Sequence, residues 1–210
     1  MKKVVIFGAA GHTGKYITRK IRSMEDVEVT AFVRNPAKFS ANEIEGVTVV
    51  QGDALNADDV KRAMEGQDIL LCSLEGDVLT MAKNIIDALP STSVRRIVWI
   101  TGMGIHGEIK GPRGVMLGLL AKQRPEYVKA ADAIAASRVP ATLLRCPGIQ
   151  NGENTGYCLT QESEQPAKRN VDRAQLPSSW LMWLPTKRLA QMRVWVSRTI
   201  RSSDETRFDS

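Results

Sequence analysis

Val4-Val5-Ile6-Phe7-Gly8-Ala9-Ala10-Gly11-His12-Thr13-Gly14 is the stretch whose reading decides the fold. Its first four residues are apolar and three of them are β-branched, which reads as a strand buried on both faces. The run breaks into glycine, and a helix is expected from about Thr13 to Met24. Each glycine has a separate mechanical task in that context. Gly8 permits the sharp exit from the strand, and Gly11 lacks the Cβ that would hold a bound group off the backbone. Gly14 lets the helix lie close to the strand. Free N–H groups at the helix start, with the positive end of the helix dipole behind them, suit a pyrophosphate. A tight strand-to-helix turn without a ligand is the alternative.

Outward from this loop, β-branched runs alternate with helical stretches. Strands are expected at Val27–Val33, Val47–Val50, Ile69–Ser73, Arg96–Thr101 and Ala141–Arg145. Asn56 ahead of Asp58 and Asp59 marks a capped helix start with acidic residues near the positive dipole end. Asp77–Leu89 and Pro125–Ser137 read as further helices, the second with proline in its first turn. Gly102–Gly114 holds five glycines and a proline and reads as a long loop. The alternation implies an α/β fold, a doubly wound and mostly parallel sheet flanked by helices.

Composition excludes several classes. Hydrophobic residues at 43% and charged residues at 25% are ordinary for a globular chain, and 210 residues suit one domain. No apolar run is long enough to span a bilayer, so no membrane role is expected. Met1-Lys2-Lys3 before Val4–Phe7 imitates a signal peptide, but its apolar part is too short. Three cysteines, Cys72, Cys146 and Cys158, have neither framework nor metal spacing, so reduced thiols, a cytoplasmic location and no metal are expected. The net charge of +6 sits mostly in residues 168–210, where nine Lys/Arg face four Asp/Glu. A nearly neutral body with a basic end argues against a nucleic-acid partner.

The expected second strand ends in Val33-Arg34-Asn35, with Arg34 20 positions beyond Gly14. An acidic residue there accepts from a ribose 2′-hydroxyl, whereas an arginine suits a 2′-phosphate. NADP(H) is therefore favoured over NAD(H), the alternative being a surface arginine stacked on adenine. Asp53, in Gly52-Asp53-Ala54, either accepts from the adenine amino group or makes a turn.

The loop Gly8–Gly14, Arg34, Asp53, the strand Arg95–Thr101 and Thr142-Leu143-Leu144-Arg145-Cys146-Pro147-Gly148 together resemble the atypical short-chain dehydrogenase/reductases. The likeness is to the small NAD(P)-binding, NmrA-like or epimerase-like Rossmann proteins, and it runs from Lys3 to about Leu176. It implies that Gly8, Gly11, His12, Thr13 and Gly14 hold the pyrophosphate, with Arg34 at the adenosine ribose and Asp53 and Ala54 at adenine. Ser73 and Leu74 would flank the nicotinamide ribose, with Thr101 at the same end, and Pro147 and Gly148 would close the nicotinamide side.

The chain departs from the resemblance where catalysis is expected. Typical short-chain dehydrogenases use a serine, and a tyrosine with a lysine four residues later. Here Thr101-Gly102 ends the expected fifth strand, and Gly104-Ile105-His106 stands where relatives have Gly-Ile-Tyr. Tyr127 is followed four later by Ala131, and Lys129 lies about 200° around the helix from it. Three substitutes are candidates. His106 is either a general acid or a solvated loop histidine. Thr101 either orients a substrate carbonyl or bonds to backbone, and Tyr127 either donates a proton or packs. The expectation is an NADP(H)-dependent oxidoreductase acting on a small carbonyl, quinone or flavin-like molecule. A non-catalytic redox sensor working through a protein partner is the alternative, and a monomer or homodimer is expected in either case.

Residues 1–176 are expected to form the dinucleotide-binding domain, and 177–210 an atypical basic tail containing Pro177, Trp180, Trp183 and Pro185. Trp180, Leu181, Trp183 and Leu184 are candidates for covering an apolar surface, within the chain or across a dimer. Arg193, Arg198 and Arg201 read as a solvated end.

Overall fold

The computed structural model describes residues 1–152, 157–161, 165, 170–174, 176 and 193–198. Its strands are β1 (Lys2–Phe7), β2 (Val27–Val33), β3 (Val47–Gln51), β4 (Ile69–Cys72), β5 (Arg96–Gly102), β6 (Ala141–Cys146), β7 (Gly148–Gln150), β8 (Tyr157–Gln161), β9 (Asn170–Asp172) and β10 (Arg193–Arg198). The helices are α1 (His12–Ile21), α2 (Ala57–Met64), α3 (Val78–Ala88), α4 (Gly111–Gln123) and α5 (Pro125–Ala135).

One sheet runs in the order β3-β2-β1-β4-β5-β6-β10-β8, and its first six members are all parallel. This is the doubly wound α/β arrangement expected. The chain reverses direction across the sheet between β1 and β4, which opens a crevice at the carboxyl ends of those strands. Strand register brings those ends level, with Phe7 opposite Phe32 on one side and Cys72 on the other.

The continuous apolar run of β1 is buried on both faces, as its sequence requires. Val5 and Phe7 pack with Leu70, Ile97 and Trp99 beneath α2, α3 and α5. Val4 and Ile6 pack with Leu71, Val98 and Leu144, against Ile17 and Ile21 of α1 and Val171 of β9. Full burial of each such side chain stabilises by about 1.5–3 kcal/mol. The caps are local and specific. Asn56 Oδ1 accepts from the Asp59 N–H at 3.0 Å to start α2, and Asp77 Oδ1 accepts from the Thr80 N–H at 3.1 Å to start α3.

Two expectations need correction. Gly102–Gly114 is not one long loop, because α4 begins at Gly111 with Pro112 in its first turn. Gly114 belongs to the helix for a packing reason, since a Cβ there would lie 1.7 Å from the Ile109 carbonyl oxygen. Nor are residues 193–198 set apart from the domain. They form β10, which pairs parallel to β6 and antiparallel to β8. The alternation Val194-Trp195-Val196-Ser197 suits a strand, and Arg193 and Arg198, read as part of a solvated end, are its two terminal residues. The remarks on Pro177, Trp180, Leu181, Trp183, Leu184, Pro185 and Arg201 fall outside the described residues, as does the Cys158 side chain. No helix among the described residues is long and apolar enough to cross a membrane.

Candidate dinucleotide site

A cleft of about 760 Å³ lies over the crevice between β1 and β4. It is lined by the loop after β1, the segments following β2 and β3, the turn after β4, and Ile149 and Arg173 from the last third of the chain.

The loop after β1 is shaped by its glycines. Gly8 has φ +79°, in the left-handed region, and a Cβ there would stand 2.1 Å from the Ser73 carbonyl oxygen. Gly14 brings α1 onto the loop, because a Cβ would lie 2.0 Å from the Gly8 carbonyl oxygen. Gly11 sits just ahead of α1 with no side-chain cap, and the first turn of α1 carries no acidic residue. The N–H groups of that turn therefore remain available to an anion. Gly8, Gly11, His12 and Thr13 line the cleft, and Gly14 acts behind it through packing.

At the opposite end, Arg34 and Asp53 line the cleft with Ala54. Two residues not singled out from the sequence join them. Asn35 Oδ1 accepts from the Ala37 N–H at 3.0 Å and starts a short 3-10 turn at Pro36, which carries Lys38 onto the cleft beside Arg34. The spacing Arg34-Asn35-Pro36-Ala37-Lys38 was the available signal, since Asn-Pro marks a turn that brings its ends together. Asp53 makes a turn and lines the cleft at once. Its Oδ1 accepts from the Leu55 N–H at 3.0 Å, while its own N–H donates to Asp59 Oδ2 at 3.0 Å. That backbone donor, followed by Arg62, holds the Asp59 carboxyl below its ordinary range.

Ser73 and Leu74 line the cleft at the β4 end, together with Glu75, Met81 and Ile149. Thr101, Pro147 and Gly148 are not among the lining residues. The Thr101 side chain is 4% exposed at the end of β5, and its Oγ1 has no hydrogen-bond partner among the described residues. A buried hydroxyl without a partner is uncommon in a folded chain.

Neither His106 nor Tyr127 lines the cleft, and the structure gives each a definite environment. Arg145, fully buried, approaches His106 Nδ1 through Nη2 at 2.6 Å. An arginine only donates, so Nδ1 accepts, and the proton on Nε2 points at Asp132 Oδ1, 2.7 Å away. With both ring nitrogens engaged, His106 ties its loop to β6 and α5. Glu108 completes the tie, with Oε1 accepting from Arg145 Nη1 and from the Gly104 N–H, each at 3.1 Å.

Tyr127 has a cation after all. Arg124, three residues earlier, donates to the phenol oxygen from Nη2 at 2.8 Å, and its Cζ lies 4.2 Å from the ring centroid. The same oxygen accepts from the Gly76 N–H at 3.3 Å, in the turn that supplies Ser73, Leu74 and Glu75 to the cleft. The cation thus stands N-terminal to Tyr127, on the side opposite to the lysine of the usual dyad. Arg173 had no sequence signal at all, because its contact with the loop spans 160 positions.

The chain belongs to the NAD(P)H-binding family, whose profile matches residues 8–178. It is 28% identical over 146 residues to quinone oxidoreductase 2 of Escherichia coli, an alignment covering 68% of this chain and 47% of that protein. This chain thus spans about half the length of that relative. Among solved structures, a Rossmann-fold NAD(P)-binding family protein from Shigella flexneri superposes with a TM-score of 0.80 at 25% identity, over 100% of both chains. A short-chain dehydrogenase/reductase from Veillonella parvula, solved in complex with NADP, superposes with a TM-score of 0.79 at 22% identity, over 94% of each chain. The protein is thus an NAD(P)H-binding family member on a Rossmann-type fold.

Proposed function

We propose that the protein is an NADP(H)-dependent reductase of a small carbonyl, quinone or flavin-like acceptor. The observation that carries this reading is the pairing of Arg34 with Lys38 at one end of a cleft whose floor is the glycine loop. Two cations beside an adenosine ribose match a 2′-phosphate, which NADP(H) has and NAD(H) lacks.

The lining fits such a cofactor along its length. Gly8, Gly11, His12 and Thr13 hold the pyrophosphate against the start of α1, and Asp53 and Ala54 border adenine. Ser73 and Leu74 border the second ribose, whereas Pro147 and Gly148, outside the lining, take no part in it. Bound NADPH supplies hydride chemistry, so the protein has to orient the acceptor and provide a proton. The buried Thr101 hydroxyl orients the acceptor's oxygen. Tyr127 supplies the proton, and the negative charge left on its oxygen is met by Arg124 and the Gly76 N–H. A degenerate short-chain dehydrogenase dyad results, with the cation N-terminal to the tyrosine.

A redox sensor acting through a protein partner is the second reading. It is favoured by the placement of Thr101, His106 and Tyr127 outside the cleft lining. Unequal affinity for NADPH and NADP+ combined with no turnover of quinones or aldehydes would support it.

The first experiment is a nicotinamide-fluorescence titration with NADPH and NADH on wild type, Arg34→Ala and Lys38→Ala. Each substitution is expected to weaken NADPH about ten- to hundredfold and NADH by less than about threefold. Equal losses for both dinucleotides would refute the 2′-phosphate assignment.

A further inference from the structure

We propose that Arg173 is a pyrophosphate clamp: it reaches from the last third of the chain onto the glycine loop and binds the phosphates common to NADPH and NADH. The proposal rests on the dinucleotide reading above and adds to it the source of the positive charge at the centre of the cleft.

The glycine loop itself contains no arginine or lysine. Among the described residues lining the cleft, Arg34 and Lys38 follow β2, and Arg173 is the arginine that contacts the loop. Lys15, one turn into α1, is committed elsewhere, with Nζ 2.8 Å from Glu43 Oε2 and 5.6 Å from the centre of the Phe39 ring. A pyrophosphate brings two negative charges, and a helix start offers only about half a unit of positive charge. A guanidinium, with five donors in a planar fork, is suited to supply the rest.

The hydrogen bonds of Arg173 leave it fit for that task. Nε donates to Thr13 Oγ1 at 3.4 Å, and Nη1 donates to Asn151 Oδ1. Both acceptors are neutral, so neither bond cancels the charge. Its Nη2 makes no hydrogen bond among the described residues.

The platform beneath it is firm. The Arg173 N–H donates to the Gln150 carbonyl at 2.8 Å, directly after β9, which pairs in parallel with β7. Asp172, buried, accepts from Gln150 Nε2 at 2.8 Å. Gly152 is pressed onto the same carboxylate so closely that a Cβ would stand 2.4 Å from Asp172 Cγ. The guanidinium is thus presented to the loop by a braced backbone, at small cost in side-chain ordering when the ligand arrives.

A purely structural brace between Thr13 and Asn151 would look the same without ligand, so the test must separate the two roles. Wild type, Arg173→Gln and Arg173→Lys are titrated with NADPH, NADH and 2′-AMP, the last by displacement of NADPH. The probe 2′-AMP carries the adenosine and 2′-phosphate but no pyrophosphate. Arg173→Gln is expected to weaken NADPH and NADH alike, about ten- to hundredfold, and to leave 2′-AMP within about twofold. Arg173→Lys, which keeps the charge, is expected to recover part of the loss. The salt dependence of NADPH binding should also flatten in Arg173→Gln, because one ionic contact is gone.

Unchanged dinucleotide affinity in Arg173→Gln overturns the clamp and leaves the cofactor reading intact. An equal loss for 2′-AMP overturns it as well, since the residue would then be supporting the cleft as a whole. Wild type that binds neither dinucleotide overturns the cofactor reading and the clamp with it.

Discussion

Gly14, Gly114 and Gly118 lie beyond the first residue of their helices, and replacing each by alanine separates helix propensity from packing. Alanine is favoured over glycine in a helix interior by about 1 kcal/mol. Gly118, in the middle of α4, has nothing within 4 Å of a built Cβ. Gly118→Ala should therefore gain most of that preference, about 0.5–1 kcal/mol. At Gly114, four residues earlier on the same helix, the Cβ would stand 1.7 Å from the Ile109 carbonyl oxygen and 2.6 Å from its carbon. At Gly14 it would stand 2.0 Å from the Gly8 oxygen and 2.8 Å from Ala9 Cα. Both neighbours are backbone, so relief requires moving a helix by about an ångström against its loop. Overpacking of this kind costs about 1–3 kcal/mol, and backbone obstacles belong at the upper end. After the propensity gain is deducted, Gly14→Ala and Gly114→Ala should still be destabilised by about 1–2 kcal/mol. Urea denaturation midpoints at constant m-value read all three variants. A Gly118→Ala protein less stable than wild type, or a Gly14→Ala protein of unchanged stability, would refute this account of the loop packing.

The network around Arg145 predicts an asymmetry. Removing Glu108 takes the counter-charge from a fully buried guanidinium, and Glu108→Ala should cost about 3–5 kcal/mol, whereas Glu108→Gln combined with Arg145→Met, which removes both charges and keeps the volume, should cost much less. Denaturant melts decide this, and a greater loss in the double variant would sink it. Glu43 predicts acid sensitivity. Its hydrogen bond from Lys15, followed by that from the Ser40 N–H, lowers its carboxyl from 4.5 to about 2. A carboxyl lowered by folding stabilises above its unfolded value, so this contribution is present above pH 4.5 and fades as pH falls towards 2. Solvent exposure of the pair limits the contribution to about 1 kcal/mol. Glu43→Gln should flatten the loss of thermal stability across that window, and an unchanged slope would exclude Glu43 as its source.

The parts legible in the sequence were those set by neighbours along the chain. The β1 run, the glycine loop, the limits of β2 and the Asn56 cap all depend on contacts within a few residues, and each lies where its sequence places it. Helix α4 escaped because its Val115, Met116, Leu119 and Leu120 are exposed, so no apolar stripe faces the core and no helical period shows. Its glycines imitated a loop while one of them was serving close packing. In the site, Arg34 could be read from its distance to Gly14. Arg124, three residues before Tyr127, lay within the same local reach on its N-terminal side, whereas Arg173 could not be read, because its contact is made by a distant segment.

The position of β10 governs the order in which the sheet can be completed. It lies between β6 and β8, although β8 precedes it by 31 residues along the chain. On a ribosome, β6 is finished while its outer row of N–H and C=O groups still lacks the strand that will pair with it. Among the described residues, β8 pairs with β10 in the finished sheet, and β10 in turn pairs with β6. The two therefore enter together, as an antiparallel unit that docks on β6 late, after Arg198 has emerged. A chain cut before Arg193 would lack β10 and carry an open sheet edge at β6, a template for pairing with other chains. Truncations that remove residues 193–198 are then expected to cause aggregation before they cause loss of cofactor binding.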